Sequence, residues 1–236
     1  MNTYDVQQIM ERCLRTKYMR VKENFGDVNM MEKTRRMETI ELYRWCDETC
    51  EKVAEKGDVD LLKYVHDNGC HWDGKTCSCA SRNGHLECLR YAHENGCHWN
   101  EDAYPFDENA CSSASCGGQL ECLKYAHEKG CQWDAYTCHN ASAEGHLECL
   151  KYAHENGCHW NEDTCSLASH YGHLECLRYA HENGCPWDKS TCSKASRGGQ
   201  LECLRYAIEN GCPIDMKKCL RIAKGDCEEY LEDRRV

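Results

Sequence analysis

The sequence predicts an all-α protein built as a stack of helix-turn-helix pairs. Three observations predict it. One phrase of about 27 residues recurs along most of the chain, each copy has room for two short helices only, and each copy closes on a glycine. Repetition of this kind is typical of solenoids, in which neighbouring units bury each other's apolar faces.

Three short sequence patterns, here called marks, define the repeat. A Gly-Cys pair, followed in most copies by Trp two residues after the Cys, begins at positions 69, 96, 130, 157, 184 and 211, at a spacing of 27 residues except for one of 34. The phrase Leu-Glu-Cys-Leu, then Lys or Arg, Tyr and Ala, starts at 86, 120, 147, 174 and 201. A further cysteine stands at 50, 77, 111, 138, 165, 192 and 219. These marks define a repeat domain over residues 46–236, with about seven units and a degenerate last one, as the solvent-facing end of a solenoid requires.

Each unit is predicted to form two helices, and the copy near the middle of the chain illustrates the pattern. Its first helix is expected at about residues 164–170 and its second at about residues 174–182. Asn183-Gly184 supplies a left-handed residue that closes the second helix. Asn161 and Asp188 are suitable residues for the start of a first helix. Neither helix is long enough to be stable alone, so stacking on neighbours must bury their apolar faces.

At these positions the unit resembles the ankyrin repeat. The family's unit has a Thr-Pro-Leu start, an alanine pair, Gly-His, an apolar second helix and a closing Gly-Ala. Those places hold Thr164-Cys165, Ala168-Ser169, Gly172-His173, Cys176-Leu177 and Gly184-Cys185. The sequence of the repeat is also similar to that of Cys-rich ankyrin proteins encoded by giant DNA viruses of amoebae, which indicates a viral origin.

The resemblance implies an ankyrin-type solenoid with shortened fingers. Family units are about 33 residues long, and the residues missing from this chain fall between Trp160 and Thr164, where the family builds a projecting β-hairpin. The resemblance further implies a scaffold or adaptor that binds another protein along a concave groove lined by the first helices. If the origin is viral, that partner is expected to be a host protein. The family has no catalytic residues of its own.

A comparison of the units with one another predicts which residues contact a partner. Positions that stay constant are expected to pack between units, and positions of the first helix that vary are expected to face solvent and line the groove. Neutral variation on a solvated face is the alternative. Tyr and Arg are enriched at binding hot spots. The candidate partner-binding residues on this face are Arg82, Asn83, Asn140, Glu144, Leu167, His170, Tyr171, Lys194 and Arg197.

Two segments depart from the repeat. Residues 100–110 carry seven extra residues, among them Tyr104 and Phe106, which are further candidates for partner contact. The alternative is a finger of the family's length whose aromatic side chains pack back on the array. Residues 1–45 do not match the repeat and are predicted to form an N-terminal helical extension that caps the first unit. A module that recruits a partner is the alternative for this extension.

Charge and hydropathy argue against several classes of function. The net charge of −11 counts against a nucleic-acid binder, which needs a clustered positive face, and against docking on an anionic membrane. No apolar run approaches the roughly 20 residues that a membrane span needs, and the N-terminus lacks the pattern of a secretory signal. We therefore expect an intracellular, cytoplasmic monomer whose partner is another protein.

The 23 cysteines and 13 histidines raise the question of metal or redox chemistry. Zinc needs four ligands at about 2.0–2.3 Å, and no Cys-x-x-Cys pair is present. Equivalent cysteines of successive units are expected about 8–10 Å apart, which is too far for one metal or a disulfide. The cysteines are therefore expected to be small core residues, without a metal site or cofactor, and a metal-binding or thiol-redox protein is the alternative function. Because the chain lacks phosphate-binding and serine-nucleophile motifs, no catalytic residue is assigned and an enzyme is not expected.

Overall fold

The computed structural model describes residues 49–67, 69–99, 109–133 and 135–234, and within these ranges every regular element is an α-helix. The helices form seven consecutive pairs. The first helices of the pairs are α1 (Thr49–Lys56), α3 (Gly74–Arg82), α5 (Ala110–Cys116), α7 (Ala135–Glu144), α9 (Glu162–Tyr171), α11 (Lys189–Gly198) and α13 (Met216–Ile222). The second helices are α2 (Val59–Asp67), α4 (Leu86–Glu94), α6 (Leu120–Glu128), α8 (Leu147–Glu155), α10 (Leu174–Glu182), α12 (Leu201–Glu209) and α14 (Asp226–Glu232). The predicted all-α stack of helix pairs is confirmed, and no strand is present in the ranges that the structure describes. The predicted extension over residues 1–45 lies outside them.

Local signals at the helix ends explain the short connections between units. The side chains of Asn161 and Asp188 accept hydrogen bonds from backbone N–H groups two residues later, at 3.0 and 2.8 Å. Each bond satisfies one of the donors that a helix start leaves open. At the end of α10, Gly184 has φ +84°, and the Cys185 N–H donates to the Ala180 carbonyl at 2.9 Å. At this junction the second helix ends at Glu182 and the next first helix begins at Lys189, so the described connection is too short for a β-hairpin finger.

Small side chains make up the interior of the stack, together with one leucine from each second helix. In the pair α9 and α10, Cys165, Ala168, Leu177 and Ala180 are each 0 % exposed. First helices of adjacent units pack closely along their lengths, whereas second helices of adjacent units meet at few positions. The cause is side-chain size, because the first helices carry Cys, Ala and Ser where the second helices carry Leu, Tyr and His. The first helices therefore form the more closely packed side of the stack.

The turn inside each of the first six described pairs is covered by the unit that follows. Gly145 ends α7 with φ +78°, and the ring of His173 lies so close that a Cβ on residue 145 would collide with it. Gly57 and His85 repeat the arrangement, and His85 Nε2 also lies 3.0 Å from the Glu55 carbonyl oxygen. Only glycine combines the left-handed backbone with this close approach. The Gly-His positions of the repeat are therefore contacts between units.

A histidine, a tryptophan and a tyrosine form a cluster at the junctions between units. The ring of His154 stacks on Trp160 of its own unit, with 3.7 Å between centroids and 11° between planes. Tyr179 of the next unit packs edge-on against both rings, and its hydroxyl lies 3.2 Å from His154 Nδ1. The described residues contain four more such clusters, around His66, His93, His127 and His181. The recurring tryptophan thus joins the second helix of one unit to that of the next.

These clusters make the stability of the fold depend on pH. Burial lowers the pKa of His127, and burial together with the charge of Lys129 lowers the pKa of His93. The unfolded chain then takes up these protons at a higher pH than the folded chain does. The stabilisation is complete above about pH 6.5, the ordinary value, and is lost as the pH falls through the lowered folded pKa. We expect the urea midpoint of unfolding, followed by tryptophan fluorescence, to fall between about pH 7.5 and about pH 5.5.

The matched control for this pH dependence replaces the two histidines by phenylalanine. His93→Phe/His127→Phe keeps a ring on the tryptophans but removes two groups that titrate. The decrease of the midpoint between the two pH values should be smaller in this variant than in the wild type. An equal decrease in both proteins would show that these histidines do not cause it.

Candidate functional site

The candidate site is the inner face, by which we mean the exposed and half-buried side chains of the first helices and their end residues. Nine of the candidates predicted from the sequence lie there within the described residues, and none of them is buried. They are Arg82 and Asn83 at the end of α3, Asn140 and Glu144 on α7, Leu167, His170 and Tyr171 on α9, and Lys194 and Arg197 on α11. Tyr104 and Phe106, the two candidates from the longer segment, lie outside the described residues.

Two tyrosines are exposed on the inner face. Tyr171 is 54 % exposed in the last turn of α9, and Tyr136 is 49 % exposed in the first turn of α7. Their rings lie edge-on against His170 and His139, at 4.8 and 5.8 Å between centroids. Tyr171 was predicted from the sequence but Tyr136 was not, although the comparison of units contained the necessary signal. The position before the buried threonine of the first helix varies among Lys75, Tyr136, Asp163 and Ser190.

Some variable side chains of the inner face contact the neighbouring unit. Arg82 Nη2 donates a hydrogen bond to Cys116 Sγ at 3.0 Å, and Asn140 Nδ2 donates to the Ser112 carbonyl at 3.2 Å. Ser113, which also varies between units, is only 2 % exposed. The expectation that varying positions face solvent is therefore wrong for Ser113 and incomplete for Arg82 and Asn140. Variation between units does not separate a solvent-facing side chain from one that contacts a different neighbour in each unit.

A polar network links α9 to α11. Lys194 Nζ donates to Ser166 Oγ at 2.8 Å and lies 3.5 Å from Asp163 Oδ1. His170 Nδ1 lies 3.2 Å from the Lys194 carbonyl oxygen, an acceptor that requires the proton on Nδ1. These contacts hold Lys194 and His170 in place.

Charge is divided unequally along the inner face. The helices α7 and α9 contain Glu144, Glu162 and Asp163 and no Lys or Arg. The helices α11 and α13 contain no Asp or Glu. Their six basic residues, here called the basic end, are Lys189, Lys194, Arg197, Lys217, Lys218 and Arg221. The middle of the inner face is therefore acidic and aromatic, and the C-terminal part is basic.

The recurring cysteines lie in the interior, and in several units the cysteine of the first helix forms a sulfur pair with the last cysteine of its own unit. The Cys50 thiol donates to Cys70 Sγ at 2.9 Å, and Cys165 hydrogen-bonds in the same way with Cys185. The Cys185 thiol also donates to the Asn161 carbonyl at 3.2 Å. The hydrogen bond to Cys185 and burial raise the pKa of Cys165 above its usual range, so this thiol stays protonated at neutral pH. These pairs were not predicted from the sequence, because only the folded closing turn brings the last cysteine of a unit back under its own first helix.

The sulfur pairs do not extend into larger ligand sets. No group of three or more His, Cys, Asp or Glu side chains within the described ranges is arranged to hold a metal ion. Two thiols fall short of the four ligands of a structural zinc site. What the geometry shows for each pair is a hydrogen-bonded core contact that ties the start of a unit to its end.

Burial should control the reactivity of the thiols. Cys79 and Cys116 are half-buried, and the other described cysteines are buried. In a Cys13→Ser/Cys46→Ser background, which removes the two cysteines outside the described residues, we expect an aromatic disulfide reagent to modify two thiols in the folded protein and all of them in denaturant. Cys79 should react slowly, because burial raises its pKa to about 11. Protonated, buried thiols are poor nucleophiles. Rapid modification of the paired cysteines in the folded state, or stoichiometric metal in elemental mass spectrometry, would favour the metal-binding or thiol-redox alternative.

None of the described helices combines the length and the apolar character that crossing a lipid bilayer requires.

Comparison with known structures identifies the fold. The chain is similar to the human ASB11 ankyrin repeat domain in its crystal structure, with a TM-score of 0.64 and 21 % sequence identity, over 80 % of this chain and 98 % of that chain. The stack of helix pairs therefore has the ankyrin repeat fold, as the resemblance of the repeat predicted. No protein-family model matches the sequence, and no curated protein matches it.

Proposed function

We propose that this protein is a scaffold that holds a partner protein against its inner face and carries out no catalysis. The exposure of Tyr136 and Tyr171 is the observation that carries the proposal, because they are the large apolar side chains left exposed in the described residues. Tyrosine supplies a large contact area with little rotamer freedom to lose, and it is frequent among residues that dominate binding energy.

The arrangement of the two tyrosines suits an extended or helical segment that crosses the inner face. Tyr136 lies in the first turn of α7 and Tyr171 in the last turn of the adjacent α9, with half-buried Leu167 between these ends. From the rise of 1.5 Å per residue and the spacing of packed helices, the tyrosines are roughly 15 Å apart. That distance corresponds to about five extended residues of a partner. Asn140, Glu144, His170, Lys194 and Arg197 then surround the contact, with Arg82 and Asn83 further along.

The origin and setting form part of the proposal. The sequence of the repeat resembles that of giant-virus ankyrin proteins, and this resemblance supports a viral factor that acts on a host protein in the host cytoplasm. Tyr104 and Phe106 would add to the contact from the longer segment. We propose that the protein acts as a monomer, with neither nucleic acid nor membrane as its ligand.

Site-specific photo-crosslinking in cells tests the proposal. A photoreactive phenylalanine analogue at position 171 should capture a partner, and the same analogue at position 182, on a second helix, should not. With the partner identified, Tyr136→Ser/Tyr171→Ser should weaken its binding about tenfold or more, because two hot-spot side chains are lost.

The matched control places the same number of changes on the other side of the stack. Glu155→Ser/Glu182→Ser alters two exposed residues of second helices, and the affinity for the partner should stay within about twofold of the wild type. Circular dichroism should show all variants folded. Unchanged partner affinity in the tyrosine variant would refute binding through the inner face.

A further inference from the structure

The cations of the second helices have ion-pair partners, and they provide a comparison for the cations of the inner face. Each described second helix from α2 to α12 carries one Lys or Arg, and each of these lies within 4.0 Å of an Asp or Glu three residues earlier. Lys124 and Lys151, for example, lie 2.9 Å from their glutamates. The positive charges on the outside of the stack are therefore neutralised within their own helices.

The basic end of the inner face is built differently. The helices α11 and α13 contain no carboxylate, and in the described part of the chain no ion pair involves the exposed Arg197, Lys217 or Arg221. Lys194 is the member of the basic end with an ion-pair partner, Asp163 on the neighbouring α9. In a chain of net charge −11, these six cations outnumber the two acids that cap the helices, Asp188 and Asp215, so the basic end carries an excess of positive charge.

We propose that the basic end binds an acidic segment of the protein partner, and that this segment places an aromatic or aliphatic side chain on Tyr171 and Leu167. The inference rests on the proposed function and names the chemistry of the partner. Arginine donates to carboxylates in a fixed two-pronged geometry, so Arg197 and Arg221 suit Asp and Glu side chains. The segment's carboxylates supply the counter-charges that α11 and α13 lack.

The charge pattern favours a peptide over a nucleic acid. A phosphate backbone longer than the basic end would run onto Glu162 and Asp163 of α9 and then onto Glu144 of α7, and like charges repel it there. A peptide can change from acidic to apolar within a few residues. The first helices α9, α11 and α13 lie side by side, with about 10 Å between the axes of adjacent helices. The apolar side chain is therefore expected about three to six residues from the acidic cluster.

Selection from a displayed library of random twelve-residue peptides tests this inference on the full chain. Enriched peptides should carry a net negative charge and an aromatic or aliphatic residue at that distance from the acids. Their affinity should fall about tenfold in Arg197→Gln/Lys217→Gln/Arg221→Gln, and it should weaken as salt increases. The matched control, Lys124→Gln/Lys151→Gln/Arg205→Gln, removes the same charge from second helices and should bind within about twofold of the wild type.

The outcomes separate this inference from the proposed function. Peptides that lose binding in Tyr136→Ser/Tyr171→Ser but carry no excess of acids would leave the inner face as the binding surface and overturn the acidic segment. Peptides that bind the tyrosine variant and the Arg197→Gln/Lys217→Gln/Arg221→Gln variant as tightly as the wild type, or a selection that enriches nothing, would overturn both. A twelve-nucleotide single-stranded DNA that binds the basic end as tightly as the best peptide would also overturn the inference.

A second copy of the chain is the other candidate to occupy the basic end. Residues 101–108, with the sequence Glu-Asp-Ala-Tyr-Pro-Phe-Asp-Glu, are themselves an acidic segment with aromatic side chains. Sedimentation of the wild-type protein over a range of concentrations distinguishes a second copy from a foreign partner. Self-association that disappears in the Arg197→Gln/Lys217→Gln/Arg221→Gln variant would assign the basic end to this chain's own acidic segment and would overturn the proposal. A monomer at all concentrations, together with acidic peptides that depend on the three cations, is the expected result.

Discussion

Leu150→Ala is expected to lower the free energy of unfolding by about 2–5 kcal/mol. Leu150 is 0 % exposed on α8, the second helix of the fourth of the seven described pairs. Its removal loses the transfer free energy of the side chain and leaves a cavity in a closely packed stack. The midpoint of denaturant unfolding, followed by circular dichroism, measures the loss.

The position of Leu150 in the array adds a second expectation. Each described unit packs on its immediate neighbours, so the stability of the stack is approximately a sum of unit and interface contributions. A weakened central unit separates the two halves, and the unfolding transition should broaden as well as shift.

Leu147→Ala is the matched control, because Leu147 lies on the same helix but is only partly buried. We expect it to cost about 1 kcal/mol, since less apolar surface is lost. Equal losses for the two leucines would contradict the assignment of Leu150 to the interior of the stack.

Trp160→Ala is expected to lower the free energy of unfolding by about 2–3 kcal/mol. This loss is smaller than for a fully buried tryptophan, because Trp160 is half-buried. The substitution removes the stack on His154 and the edge-on contact with Tyr179, with which Trp160 links two units. Chemical denaturation again measures the effect, followed by circular dichroism because the variant lacks one of the fluorescent side chains.

His154→Phe separates stacking from hydrogen bonding in the same cluster. The phenylalanine ring can still stack on Trp160, but the contact between His154 Nδ1 and the Tyr179 hydroxyl is lost, at a cost of about 1 kcal/mol. If His154→Phe destabilised the protein as much as Trp160→Ala, the hydrogen bond would be the main link between these units. Neither substitution touches the inner face, so variants that stay folded should keep their affinity for the partner.

The sequence predicted most of the fold because its signals are local and are repeated in each copy. Asn161 and Gly184 mark a helix start and a helix end by their own backbone preferences, and the structure confirms both. The constant positions Cys165, Ala168 and Leu177 are buried, as the comparison of units predicted. The candidates Arg197 and Tyr171 are exposed on the first helices as expected, and their contact with a partner stays a prediction.

The repeat, the two helices of each unit and the residues that pack thus follow from the sequence alone. Which of these residues touch follows only from the fold: the sulfur pair of Cys165 with Cys185, the cluster that joins Trp160 to Tyr179 of the next unit, and the absence of an ion pair at Arg197 among the described residues. The physical reason is that a constant residue shows only that it is needed in every unit. Its partner depends on the distance and angle between neighbouring units, and these follow from the packing of many small side chains together.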